Sequence, residues 1–249
     1  MIITKSAEEI SIMREAGRVT ARTLRMVGEA VRPGATTADL DELAEEVIRS
    51  AGARPAFKGY HGFPATICAS LNCEVVHGIP TKHRRLKEGD ILSVDVGAIV
   101  DGYYGDSAMT FSVGEVAAET RRLLEVTQRC LEAGIARCHP DMRLYDISNA
   151  VQNVAESAGF SVVREYVGHG IGQAMHEDPQ IPNFGPAGKG PTLVEGMVFA
   201  IEPMINAGGA DVRSLDDGWT VVTSDGTPSA HFEHTVVVGR DGPVILTLE

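Results

Sequence analysis

Residues 88–95 read Glu-Gly-Asp-Ile-Leu-Ser-Val-Asp, and residues 195–202 read Glu-Gly-Met-Val-Phe-Ala-Ile-Glu. Each is a short apolar run containing Val and Ile, so each reads as a buried strand. Each closes on a carboxylate, Asp95 in the first copy and Glu202 in the second, 107 residues apart. An ionised carboxylate beside a buried strand is costly unless it is paired or bound to a metal. Two such acids in equivalent places predict one site on a pseudo-twofold axis between two halves.

The same offset holds elsewhere. Set against residues 120–159, residues 13–52 give 11 identities in 40 ungapped positions, among them Thr20/Thr127, Pro33/Pro140, Asp39/Asp146 and Gly52/Gly159. A match of this length that runs on into the acid-ended strands indicates a duplicated unit, and two copies exclude a solenoid. At 249 residues the chain holds one large core or two small ones. The expectation is a single domain over 1–249, with repeat halves of roughly 6–113 and 118–240.

Local signals fill in the halves. Ser6 and Glu9 form a capping box. The box opens a helix with Ile10, Met13, Ala16, Leu24 and Val27 inward, ended by Pro33-Gly34. Thr36 or Thr37 caps a second helix carrying Leu40, Leu43 and Val47, stopped at Gly52. The second half repeats the pair, from about Ala118 to Ala136 and from about Leu144 to Ser157. Strands are expected near 64–70, 90–98 and 103–113, then 161–167, 197–206, 219–224 and 230–238. Asp101-Gly102 signals a hairpin. Stretches 182–191 and 207–218 read as loops. The pattern predicts an α+β fold with helices packed on one side of an antiparallel sheet.

The net charge of −12 argues against nucleic acid as a partner, since that needs a basic face. No apolar run approaches the ~20 residues of a membrane span. The amino-terminal residues lack a signal-peptide layout. The four cysteines, Cys68, Cys73, Cys130 and Cys138, make no Cys-x-x-Cys pair and suit reduced thiols in a cytoplasmic protein.

Chemistry gathers on few residues. Asp106 follows Asp95 by eleven positions across the hairpin, Glu233 interrupts an apolar strand, and His169 stands in Gly-His-Gly-Ile-Gly. Oxygen-rich ligation with one imidazole suits Mn, Fe(II), Co(II) or Zn, unlike a Cys-rich structural zinc site. Four carboxylates carry −4, which two divalent ions balance. Such pairs hold a bridging hydroxide ready to attack a carbonyl. Taken singly, Asp95 or Asp106 is more often a turn or salt-bridge acid, and Glu233 within an apolar strand is the odder residue; it is their place on duplicated strands that lifts them together. His176-Glu177 lacks the second His of a zincin helix, and no helix pattern follows Gly168–Gly172 as a dinucleotide site requires. No Gly-x-Ser-x-Gly elbow occurs. By its own chemistry Cys68 reads as a small buried hydrophobe.

In order along the chain stand His77-Gly78-Ile79-Pro80, Ser93-Val94-Asp95-Val96-Gly97, Asp101-Gly102-Tyr103-Tyr104-Gly105-Asp106, Gly168-His169-Gly170-Ile171-Gly172, His176-Glu177, Ile201-Glu202-Pro203 and Phe232-Glu233-His234-Thr235. Together they resemble the type I methionine aminopeptidases of the pita-bread metallopeptidase superfamily, over nearly the whole chain. The resemblance implies that Asp95 chelates one metal, that His169 and Glu202 hold the other, and that Asp106 and Glu233 bridge both. It implies that His77 sits beside the scissile amide and that His176 binds the peptide carbonyl and steadies the oxyanion. Glu202 would also shuttle the proton of the attacking water. Tyr60, His61, Phe63, Cys68 and Trp219 would line the methionine pocket, whose thioether packs well on aromatic rings.

The same resemblance implies a monovalent cation held by backbone carbonyls near Asn72, Glu74 and Ser229. Met175 departs from the aromatic residue that bacterial members often carry there. The short interval from His176 to Glu202 disfavours the helical insertion of type II enzymes. A first helix starting at residue 7 disfavours an added amino-terminal domain, and with it prolidases and Xaa-Pro aminopeptidases. The implied activity is removal of initiator methionine from nascent polypeptide N-termini whose second residue is small and uncharged. A cytoplasmic monomer with transient ribosome contact and no DNA or membrane partner completes the expectation. Met1, followed by Ile2, is expected to stay. The competing readings are a prolidase-like peptidase and a non-catalytic adaptor of the same fold.

Overall fold

The first helix, α1 (Ala7–Ala30), opens on the expected box: Ser6 Oγ accepts from Glu9 N, and Glu9 Oε2 accepts from Ser6 N. Residues 2–249 are described by a computed structural model; Met1, and with it the expected retention of that residue, lies outside them. Helix α1 buries Met13, Ala16, Leu24 and Val27, while Ile10 is only half-buried. Burial of each large side chain contributes about 1.5–3 kcal/mol. Helix α2 (Thr37–Ser50) is capped by Thr36 rather than Thr37. The second pair is α3 (Ala118–Ile135) and α4 (Leu144–Ser157).

The identities shared by the halves have structural causes. Asp39 accepts from Thr36 N, and Asp146 accepts from Arg143 N, one helix start per half. Thr20 and Thr127 are buried and return their hydroxyls to the carbonyls of Ala16 and Leu123. Gly52 and Gly159 end α2 and α4 with φ of 77° and 82°, a conformation that favours glycine. The β-bridge Thr36–Arg85 recurs 107 residues later as Arg143–Thr192.

Strands of the first half are β1 (Arg54–Pro55), β2 (Ile67–Leu71), β3 (Glu74–Val76), β4 (Ile91–Val100) and β5 (Tyr103–Ser112). Those of the second are β6 (Ser161–Val162), β7 (Gly168–Gly170), β8 (Glu177–Ile181), β9 (Val198–Ile201) and β10 (Met204–Asn206), then β11 (Val212–Ser214), β12 (Val221–Thr223), β13 (Ser229–His231), β14 (His234–Gly239) and β15 (Gly242–Ile245). In the first half β1 and β2 share one edge of β4, and β5 takes the other. In the second, five strands run β15-β14-β9-β7-β8 and three run β13-β10-β6; β11-β12-β3 joins the halves. All ladders are antiparallel. Helices α1 and α2 cover an apolar core with β2 and β4, and α3 and α4 cover a second built on Phe199, Ile201 and Val236.

The fold is the expected α+β one, and five details depart from expectation. Asp95 lies in the middle of β4 rather than at its end. The run 197–206 is two strands in different sheets, parted at Glu202-Pro203, because Pro203 has no N–H to continue a ladder. The run 230–238 is likewise parted at Phe232-Glu233, and the two breaks meet: Phe232 N donates to Pro203 O at 3.3 Å. The run 161–167 shrinks to two paired residues, and the loop 207–218 contains β11. Glu202 and Glu233 therefore sit at steps between sheets, where their side chains are free of ladder geometry.

Candidate active site

The hairpin β4–β5 turns at Asp101 and Gly102, with φ of 46° and 83°, as a two-residue hairpin turn requires. Its register pairs Asp95 with Ala108 and Gly97 with Asp106. Paired residues share a face and alternate residues return to it, so Asp95 and Asp106 point to one side. Cys68 of β2, opposite Asp95, points there too. Glu233 reaches the same side because its N–H donates to Ala108 O at 2.9 Å. Glu202 arrives from the end of β9, and His169 from β7, whose register places it opposite Ala200.

Asp106, His169 and Glu233 each offer a ligand atom, all within 4.8 Å of one another, the metal-ligand cluster found among the described residues. His169 Nε2 lies 3.4 Å from Glu202 Oε1 and 4.0 Å from Asp106 Oδ2. Asp95 Oδ1, Asp106 Oδ1 and Glu233 Oε1 are buried without a hydrogen-bond partner. Burial, then mutual repulsion, pushes the carboxyls of Asp95, Glu202 and Glu233 well above the usual range. Burial pushes Asp106 up to about 7. Packed acids with orphaned oxygens and no cation beside them fit a divalent metal centre.

The histidines are held neutral. Burial lowers His169 to about 4, helped by His176. His169 Nδ1–H donates to Gly170 O at 3.0 Å, which leaves the Nε2 lone pair directed at the acids, the tautomer a metal ligand needs. His77 is lowered to about 4, first by burial and then by His176. It holds φ of 60°, strained for a non-glycine residue, and strain of this kind clusters at functional sites. The following Gly78 cannot carry a side chain: a Cβ would stand 2.4 Å from Ala69 O. His176 lies 4.3 Å from His169, centroid to centroid, and its Nδ1 is 2.8 Å from the Tyr60 hydroxyl. Burial and His61 lower it as well.

These groups line one cavity of about 410 Å³. All the residues expected at the site meet there: Tyr60, His61, Phe63, Cys68, His77, Asp95, Asp106, His169, His176, Glu202, Trp219 and Glu233. Phe63 and Trp219 pack edge to face at 5.1 Å.

The sequence profile of metallopeptidase family M24 matches residues 11–240. The chain is 54% identical over 248 residues to a methionine aminopeptidase of Clostridium acetobutylicum, covering 100% of this chain and 99% of that one. The chain belongs to metallopeptidase family M24. Methionine aminopeptidase 1 of Bacillus subtilis is 53% identical over 247 residues, 99% of each chain. The crystal structure of methionine aminopeptidase from Thermotoga maritima superposes with a TM-score of 0.99 at 48% identity, each chain covered fully. A prolidase of Pyrococcus furiosus shares the fold, with a TM-score of 0.79 at 22% identity over 99% of this chain and 66% of its own.

One lining residue of this M24 chain, Phe57, and one neighbour of its acids, His231, are absent from the expected set, whereas Met175 stands in the cavity as the departure from the usual aromatic implies. Phe57 and Met175 line the cavity, and both stand within about 3.3 Å of where a Gly97 Cβ would be. His231, buried on β13, places Nε2 3.5 Å from Glu202 Oε2. Burial, then His77, lowers it to about 3. The signal was present in His231-Phe232-Glu233-His234, where an imidazole stands two residues before the acid, the spacing that shares a face in an extended run. His234, on the opposite face, contacts Thr247 and Ser107 away from the cavity.

Proposed function

We infer that this M24 hydrolase is a methionine aminopeptidase that acts on protein N-termini with a small, uncharged second residue. The observation that carries the reading is the junction of two features in one cavity. Four acids and His169 form its floor, and an apolar wall of Phe57, Phe63, Cys68, Met175 and Trp219 stands beside them. A thioether packs well on such a wall, and the wall carries no group to pair with a charged side chain. In this reading residues 1–249 form one catalytic domain. Asp95, Asp106, His169, Glu202 and Glu233 hold two divalent ions, Co, Mn, Fe(II) or Zn, with a monovalent cation near Asn72, Glu74 and Ser229. When bound, the divalent pair supplies Lewis acidity to the substrate carbonyl and lowers the pKa of a shared water.

The remaining chemistry belongs to the chain. The Tyr60 hydroxyl donates to His176 Nδ1, which fixes the proton on Nε2 and makes His176 a donor to the carbonyl oxygen as charge develops there. His77, held neutral and edge-on to Tyr166 and Trp219, donates to the scissile nitrogen or the leaving amine. Glu202 accepts the proton of the attacking water, and His231 Nε2, buried without a hydrogen-bond partner, stands 3.5 Å from its second oxygen. The enzyme is read as a cytoplasmic monomer acting on nascent chains in transient contact with the ribosome. No helix among the described residues is long and apolar enough to cross a membrane.

The test is cleavage of Met-Ala-Ser against Ala-Pro-Ala by metal-loaded protein. Release of Met from the first alone supports the reading. Preference for Ala-Pro-Ala would make the enzyme prolidase-like, and cleavage of neither by protein with bound metal would leave an adaptor.

A further inference from the structure

His176 is carried by residues 171–176, the link from β7 to β8, which makes few backbone hydrogen bonds. Gly172 N donates to Ala174 O at 3.2 Å, and Tyr104 N donates to Gly172 O at 2.9 Å. The buried Ile171 and Met175 side chains anchor the link in the apolar core, and two chains of side-chain contacts add to that, both rooted in the segment that starts α1. In the first, Lys5 Nζ meets Glu177 Oε2 at 2.5 Å, with the side chains only 4% and 11% exposed. Glu177 Oε1 accepts from Ala174 N at 3.2 Å. Lys5 is fixed in turn, its N–H donating to Gly196 O at 2.7 Å beside the Thr4–Met197 bridge. In the second, Gln173 Nε2 donates to the Tyr103 hydroxyl at 2.8 Å, which donates to Glu9 Oε1 at 2.7 Å, the acid of the α1 capping box. The link closes on Lys5 so tightly that a Cβ on Gly172 would stand 2.4 Å from Lys5 Cε.

A buried ion pair is a poor source of stability, because desolvation offsets the attraction, and its best-attested use is to fix geometry. We propose that Lys5 and Gln173 are positioning residues: with Glu177, Tyr103 and Glu9 they form a strut from the amino-terminal segment that holds His176 over the acid cluster. The proposal rests on the reading of His176 as the donor to the substrate carbonyl. Among the described residues the His176 ring faces Tyr60, His61, His77 and His169. Among the described residues the side chains of Lys5, Gln173 and Glu177 hydrogen-bond to none of the cluster's acids and not to His169, so release of the strut acts first on the His176 ring. The link also meets the cluster where His169 contacts the Met175 backbone.

The experiment measures kcat and KM on Met-Ala-Ser for Lys5→Met and Gln173→Leu, each made in the parent chain and in His176→Ala, with bound metal quantified. Amide hydrogen exchange over 170–178 is followed in parallel. Loss of an oxyanion donor costs about 10²–10³ in kcat, so displacement of one is expected to cost about tenfold for Lys5→Met and several-fold for Gln173→Leu. KM and metal content stay close to those of the parent, and exchange at 172–177 quickens. Neither substitution lowers kcat further once His176 is Ala, whereas a general loss of structure would lower both backgrounds alike. Glu177→Gln leaves one acceptor oxygen where Lys5 and Ala174 N–H each use their own, so it breaks one of the two contacts and is expected to lose kcat on the scale of Lys5→Met. Should Lys5→Met fail to fold, Gln173→Leu, at an exposed residue, decides the question alone. Unchanged kcat and exchange in these variants, or equal losses in both backgrounds, would overturn the strut. A His176→Ala protein of full kcat would instead refute the role of His176, and the proposal with it.

Discussion

Glu233 shows how one residue trades stability for function. Its Oε1 is buried without a partner, and burial with three neighbouring acids raises its carboxyl well above the usual range. A carboxyl raised in the folded state contributes stability that is present below its unfolded value, about 4.3, and lost as pH rises through the folded value. Metal-free Glu233→Gln should therefore exceed the metal-free parent in stability at pH 8 by about 2 kcal/mol, the scale of an unpaired buried polar group. The gap should close as pH falls toward 4, and added divalent metal should stabilise the variant less than the parent. Chemical denaturation at a series of pH values checks all three; a variant less stable than the parent at pH 8 without metal would contradict the electrostatic picture. His231 offers a second case. Its Nε2 is buried without a hydrogen-bond partner and stands 3.5 Å from Glu202 Oε2. A small approach would make it a donor to the charged oxygen, so His231→Leu should lower kcat about tenfold, the scale of a hydrogen bond to a charged group. His231→Gln, which restores a donor, should recover most of it; steady-state kinetics on metal-loaded protein separates the two.

At the scale of elements, the site depends on close contact between α1 and the strand that carries Asp106. A Cβ on Gly105 would stand 2.7 Å from Gly17 N and 2.8 Å from Ala16 C. Thr20 Oγ1 donates to Gly105 O at 3.1 Å across the same contact. Backbone cannot retreat as a flexible side chain can, so Gly105→Ala should cost about 1–3 kcal/mol. Thermal unfolding should show the loss, along with weaker metal binding at the neighbouring Asp106; a neutral substitution would contradict the packing. The four helices were legible in sequence because their periodicity, caps and stop glycines agree. Strands β7 and β8 were not. The former is three residues with two glycines, kept small because a Cβ on Gly168 or Gly170 would strike Ala200 O or Asp178 O. The latter contains Pro179 and alternates with no apolar face. The breaks at Pro203 and Phe232-Glu233 were hidden for a different reason: composition is continuous across them, and only the tertiary step from one sheet to another interrupts pairing. Among the site residues, the acids and His169 announced themselves by interrupting apolar or glycine-rich stretches. Phe57 looks like ordinary core from sequence, and its exposure to the cavity is set by the fold.

Across the whole molecule, duplication places Asp95 and Glu202 in equivalent strands, yet the two halves contribute differently. The first supplies the hairpin acids and His77, and the second supplies His169, His176, Glu202 and Glu233. The cavity exists only where the halves meet, so the chain has charge without ligation unless metal joins them. Its central claim is metal-dependent removal of amino-terminal methionine. The most direct measurement is release of Met from Met-Ala-Ser by metal-free protein titrated with Mn, Fe(II), Co(II) and Zn. The account predicts no turnover without metal, activity that appears and saturates with at least one of these ions, and none in Asp106→Ala, which removes a carboxylate from the centre of the cluster. Full turnover in the metal-free protein, or an active Asp106→Ala, would contradict it.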